Sequence, residues 1–288
     1  MFWQLTLVML IAISVCSVVL IKVVADRLPK RSIGIFYQYL FCATLAIAYA
    51  ALNGKVEISS GLILVGAVGF INAFGAYFQW QAYSLSLSKT ALFFPLMEAL
   101  TIALAITFLE EADLWNNQLI FGAMLCFAAM WLFRLPNSEG KDKEILSGKW
   151  LSSTILMVLI FGLVGFLVKL FSFQIPMETF LTGWYVGALV GAIPILALEK
   201  QNPFLVSKKT ILIIMPVSIT IIGALFALYW TYQLGGPVAV VLPIRGLAIT
   251  AIPALLGLFV FKERKELSKR EWLGFAIGVV GVILILLK

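Results

Sequence analysis

Apolar residues fill this chain in ten runs, approximately 3–25, 33–52, 60–84, 88–109, 114–134, 150–172, 178–198, 209–233, 238–261 and 269–287, parted by short polar turns. Each run is near the roughly 20 residues with which a helix crosses a hydrocarbon core of about 30 Å. The expected fold is therefore an all-α integral membrane protein of ten transmembrane helices. The longest polar stretch, Leu135–Lys149 (LPNSEGKDKEILSGK), separates run five from run six and reads as a cytoplasmic linker.

The runs repeat. Trp3, Lys22 and Pro29 match Trp150, Lys169 and Pro176 at an offset of 147 residues. Further on, Pro95 answers Pro243, and Glu111 and Gly122 answer Glu263 and Gly274 at an offset of 152. A repeat fixes the architecture before any local reading. The chain divides into a first repeat, 1–134, a linker, 135–149, and a second repeat, 150–288. Five crossings per half is an odd number, so the two five-helix repeats are expected to be inverted with respect to the membrane.

Composition agrees with lipid as the solvent. Of 288 residues, 62% are hydrophobic and 12% charged, about half the charge of a soluble domain. The net charge of +7 is distributed unevenly. The loops after runs one, three, five, seven and nine hold most of the Lys and Arg, including Arg27, Lys30, Lys89, Lys200, Arg264 and Lys265. The opposite side has only Lys55 and Lys288, and gathers Glu110, Glu111, Asp113 and Glu178. By the positive-inside rule both termini lie outside the cytoplasm, in a multi-pass protein of the cell membrane. The basic loops read as headgroup-facing turns, so lipid is the expected partner and nucleic acid is not.

Histidine is absent, and Cys16, Cys42 and Cys126 lie singly in apolar runs. No metal or cofactor is expected from such a set. Neither a P-loop nor a nucleophile elbow occurs, and the chain is not expected to be an enzyme. The first run lacks the basic region and cleavage site of a signal peptide and is expected to be a retained span.

Several of these positions together resemble the drug/metabolite transporter superfamily, in particular its ten-helix permeases with two EamA-type repeats. The carriers are Lys22 before Pro29, the 88–95 stretch entering run four, and the 109–111 turn with Gly122 beyond it. In the second copy they are Gly236-Pro237 through Pro243, then Lys262-Glu263 and Gly274. The resemblance covers nearly the whole chain. It implies a permease or exporter for a small organic metabolite, such as an amino acid.

The residues themselves mark two constellations. Glu98 lies about ten residues into run four, roughly 15 Å deep, and Arg245 about seven residues into run nine, roughly 10 Å deep. Charges at such depth cost several kcal/mol unless paired or wetted and mark functional sites by default. They read either as an ion pair locking the halves, or as a site in which Arg245 receives an anionic group and Glu98 serves as partner or proton-coupling carboxylate. The second constellation closes runs three and eight: Gln79, Trp80, Gln81 and Tyr83, with Asn72 further inside, and Tyr229, Trp230 and Tyr232. Interfacial belting accounts for the rings, and a cavity lined by rings and amides accounts for the whole set. Lys22 and Lys169 read as side chains snorkelling to headgroups. Gly274, Gly278 and Gly281 have the spacing of a packing stripe, within the chain or between protomers.

The function expected is secondary active transport by alternating access around a central cavity. A flippase for a lipid-linked intermediate is the alternative, and an integral-membrane enzyme a weaker one. Proton coupling stays open, as does the choice between monomer and homodimer.

Overall fold

The computed structural model describes residues 2–28, 30–53, 59–109, 117–134, 141–172, 174–236, 238–263 and 268–286. Pro29, Lys55, Glu110, Glu111, Asp113, Pro237, Arg264, Lys265 and Lys288, singled out above, lie outside them. Among the described residues there is no strand. The helices are α1 (Phe2–Ala25), α2 (Arg31–Asn53), α3 (Ser60–Leu85), α4 (Leu87–Ala91), α5 (Phe94–Leu109), α6 (Asn117–Arg134), α7 (Lys141–Ser172), α8 (Met177–Leu198), α9 (Lys208–Gln233), α10 (Val238–Phe259) and α11 (Lys269–Leu286). Seven helical stretches are long and apolar enough to cross a membrane, among them Trp3–Ala25, Gly148–Phe171 and Lys208–Gln233. The apolar stretches 120–129 in α6 and 244–259 in α10 are shorter. These lengths and this composition fit a multi-pass membrane protein.

Two boundaries differ from the sequence expectation. Run four is not one helix but two, α4 and α5. In addition, α7 starts at Lys141, within the stretch read as a linker. Lys141, Lys143, Glu144 and Leu146 are good helix formers, so the helix continues past the end of the apolar run.

The chain packs as two compact units that cut across the sequence halves. Unit 1 is Met1–Trp80 with Leu167–Pro237, and unit 2 is Gln81–Phe166 with Val238–Lys288. In unit 1, α1 lies on α9, and α2 lies on α8 and α9. Helices α3 and α8 meet almost backbone to backbone, because a methyl at Gly187 would overlap the Gly66 carbonyl and one at Gly69 the Trp184 carbonyl. Gly183, Gly187 and Gly191 fall four apart and so share one face of α8. In unit 2, α6 lies on α11 and α10 on α4 and α5. There a Cβ on Gly281 would stand 2.8 Å from the Gly122 carbonyl, and one on Gly278 3.4 Å from Ala129 Cβ. The glycine stripe of run ten thus packs inside the chain. Runs two and seven, four and nine, and five and ten are counterparts in the sequence repeat, and each of these pairs is in contact.

Candidate functional site

The site begins with the break in run four. Pro95 has no N–H to give a helix ladder, and it sits where a restarted helix tolerates that loss, in the first turn of α5. Before it the backbone tightens into i→i−3 bonds, Phe93 N to Thr90 O at 3.0 Å and Leu96 N to Phe93 O at 3.2 Å. Trp150 pins the break: its Nε1 donates to Thr90 Oγ1 at 2.9 Å and its ring lies 5.8 Å from that of Phe93. Tyr83 meets Phe94 edge-on at 5.8 Å. Glu98 follows one turn beyond the restart.

Glu98 is 6% exposed, and neither carboxylate oxygen has a hydrogen-bond partner among the described residues. The carboxylate lies against the backbone of α10 at Gly246, where an added Cβ would overlap it. Arg245, the neighbouring residue on α10, is the cation whose field reaches Glu98. It is half-buried, and its Nε is likewise buried without a partner. Thr101, three residues after Glu98, spends its hydroxyl elsewhere, on Met97 O at 3.0 Å and Gly162 O at 2.9 Å. Glu98 is the only ionisable residue of α5, and Arg245 the only one of α10. The two charges therefore share one unit, but they do not close the hydrogen-bonded ion pair that a purely structural role requires.

Two other carboxylates are placed quite differently. Glu263, just past α10, accepts from Leu87 N at 2.8 Å, Ser88 N at 2.9 Å, Ser86 Oγ at 3.0 Å and Ser88 Oγ at 2.5 Å. It covers the N-terminal amides of α4, where free N–H groups favour an anion. Ser86 is also the N-cap of α4, accepting from Lys89 N, so plain capping explains the 88–90 run. Beside it Lys89 pairs with Glu271, and Ser268 and Glu271 form a reciprocal capping box at the start of α11, with Ser268 N to Glu271 at 2.8 Å and Glu271 N to Ser268 Oγ at 3.3 Å. In unit 1, Glu199 at the end of α8 accepts from Ser32 Oγ at 2.6 Å, Ser32 N at 3.3 Å and Tyr77 OH at 2.8 Å. Burial opposes its charge, but the donors from Ser32 and Tyr77, with Lys30 nearby, hold its carboxyl below the usual carboxylate range. Neither glutamate was read as a site residue from the sequence, where Glu263 was marked only as a repeat and resemblance position and Glu199 not at all. Their visible signal was an acid beside a lysine directly after an apolar run, Glu199-Lys200 and Lys262-Glu263.

The remaining site candidates divide between the units. In unit 1, Trp80 is fully buried and donates to Gln38 Oε1 at 3.0 Å, and Asn72 is buried and donates to Tyr39 OH at 2.9 Å. Tyr229 is fully buried, stacks on Phe180 at 4.6 Å and donates to Ile175 O. Tyr232 is buried, while Trp230 is 40% exposed and packs on Phe226. Gln79 is half-buried. In unit 2, Gln81 is half-buried and Tyr83 fully buried. Only Glu98 and Arg245 are brought together as a charged set. Lys22 and Lys169 are not in the snorkelling position expected of them. Protein encloses both, at 6% and 8% exposure, and Lys22 pairs with Asp26 at 3.3 Å.

Gly-Gly at 235–236, just before run nine, closes α9. Gly235 takes a left-handed φ of 82°, with Gly235 N bonded to Tyr232 O and Gly236 N to Thr231 O. This is a Schellman closure, which needs a residue without a Cβ penalty at that φ.

No known protein family and no curated protein matches the chain. Twelve chains of solved structures do resemble it. One of them, described only as the crystal structure of a protein, covers 96% of this chain and 97% of its own length, with a TM-score of 0.61 at 14% identity. The likeness is one of fold over the full length, and the fold is that of a helical protein whose long apolar helices fit a membrane.

Proposed function

We propose that this chain is a secondary transporter for a small organic metabolite, with Arg245 receiving an anionic group of the solute. The observation that carries the reading is the pair of charges Glu98 and Arg245, set beside a break in run four and each left with buried polar atoms that have no hydrogen-bond partner among the described residues. Evolution rarely retains such atoms in a purely structural core, where an apolar replacement packs as well or better. Discontinuous helices carrying exposed polar groups are the usual construction of solute sites in transporters. Ten spans in two inverted repeats fit this reading, since the counterparts of the sequence repeat pack on one another within the units. The positive-inside rule applied to the basic loops argues for both termini outside the cytoplasm.

The test is uptake of a mixed metabolite pool into proteoliposomes, read by mass spectrometry, with Arg245→Ala beside the native protein. Selective accumulation of one solute class, lost at least tenfold in Arg245→Ala while that variant still purifies as folded protein, supports the proposal. If no soluble compound enters with folded protein, metabolite transport is excluded and lipid-linked amphiphiles become the substrate class to assay. Appearance of a new compound would show an enzyme instead.

A further inference from the structure

We infer that Glu98 is a proton-carrying site, holding a proton while enclosed as in this structure and releasing it when water reaches it. Its role in driving transport rests on the transporter reading, but the protonation itself does not.

An ionised carboxylate in a low-dielectric interior needs donors, and two other carboxylates among the described residues have them: Glu263 accepts four hydrogen bonds and Glu199 three. Glu98 accepts none at either oxygen. A carboxyl group so placed is stable only with its charge neutralised, by a proton on the oxygen or by a cation bound to it.

The surroundings select the proton. The charged group facing Glu98 from α10 is Arg245. On α7, the residues meeting α5 at this level are Gly162 and Gly165, which contact Leu100 and Thr101. The single charge on α6 is Arg134 at its last residue. On α11 the charges are Lys269, Arg270 and Glu271, all in its first turn, and Lys89 on α4 is held by Glu271. A metal or sodium ion needs several oxygen ligands converging on one point, and no group of three His, Cys, Asp or Glu residues among the described ones could hold a metal. The close backbone of Gly246 on one side leaves a proton, which needs no coordination sphere, as the fitting occupant. The step balances simply: a proton from water on one face binds a Glu98 oxygen, and the same proton later leaves to water on the other face, with the Arg245 guanidinium nearby to stabilise the carboxylate left behind.

Infrared difference spectroscopy tests this on the full chain in lipid nanodiscs, across roughly pH 5 to 9, with the native protein beside Glu98→Gln and no substrate added. The expected result is a protonated-carboxyl C=O band at neutral pH that shifts in D2O, is absent from Glu98→Gln and is unchanged by replacing potassium with sodium. A native spectrum identical to that of Glu98→Gln in this band overturns the proposal, and so does a band that sodium removes. A second arm uses the metabolite-pool uptake assay with and without an imposed pH gradient. A severalfold acceleration by the gradient in the native protein, with the ratio falling to unity in Glu98→Gln, extends the proton site to coupling. An equal ratio in both proteins overturns the coupling role. If the band is present and no solute is taken up, the transporter reading fails while the proton site stands. Uptake without the band leaves the transporter and removes the proton site.

Discussion

Unit 2 contains two glutamates that the fold treats in opposite ways. Glu263 lies at a helix end under two backbone amides and two hydroxyls, while Glu98 lies one turn into α5 against a glycine, with no hydrogen-bond partner among the described residues. Unit 1 repeats the first arrangement with Glu199 on the start of α2, but offers no described second case of Glu98. Even the turns agree, since each capping glutamate neighbours a lysine in a left-handed conformation, Lys200 at φ 53° and Lys262 at φ 61°. The lesson concerns what a charge is for. A carboxylate that holds the fold together is surrounded by groups that reward its ionisation, and one left bare in the interior weakens the fold.

The comparison can be broken most directly by making both sites apolar. Glu98→Leu should stabilise the folded protein by about 1–3 kcal/mol, because it removes an unsatisfied polar group from the interior, while abolishing uptake. Thermal unfolding of the purified protein reads the first effect and the proteoliposome assay the second. A loss of stability comparable with that of a capping variant would mean that Glu98 has a structural partner, and the contrast would collapse. Glu263→Ala should do the reverse and lower stability by about 1–2 kcal/mol, the usual worth of a helix cap whose amides are left bare. Its uptake should change only through the amount of folded protein.

The smallest effect lies in unit 1 and sharpens the comparison through pH. The Glu199 carboxyl is held below the usual range by its donors. Its contribution is therefore complete above the unfolded value of about 4.3 and is lost as pH falls through the lower folded value. At neutral pH Glu199→Gln should unfold at a lower temperature than the native protein, and the gap should narrow as the solution is acidified through that window. A gap that stays constant to the acid end would show that the hydrogen bonds do not depend on the charge.

Much of the fold was legible in the residues. Nine of the ten apolar runs each correspond to a single helix, with bounds within a few residues except at the early start of α7, because a helix that spans lipid must be apolar along its length and the chain has few other apolar stretches. The break in run four coincides with Pro95, which apolar composition alone did not mark as the end of a helix, although Leu87–Leu104 is together apolar enough to cross a membrane. At the site, the depth and rarity of Glu98 and Arg245 marked them from sequence alone. The aromatic and amide residues were marked by type, and type does not say whether a ring packs or lines a surface. Trp80 and Tyr229 pack, through partners far away in sequence, Gln38 and Ile175.

What the sequence determined by itself is the class of solvent, the number of apolar runs, the repeat and the position of the rare charges. All of these follow from local composition and spacing, which survive without any knowledge of contacts. The tertiary structure decided which charge is satisfied. It joined Glu263 to the start of α4 across 175 residues and Glu199 to the start of α2 across 167, and it set Glu98 beside Gly246 with no hydrogen-bond partner among the described residues. Whether a carboxylate is structural or chemical depends on donors brought by other helices, and packing alone delivers them.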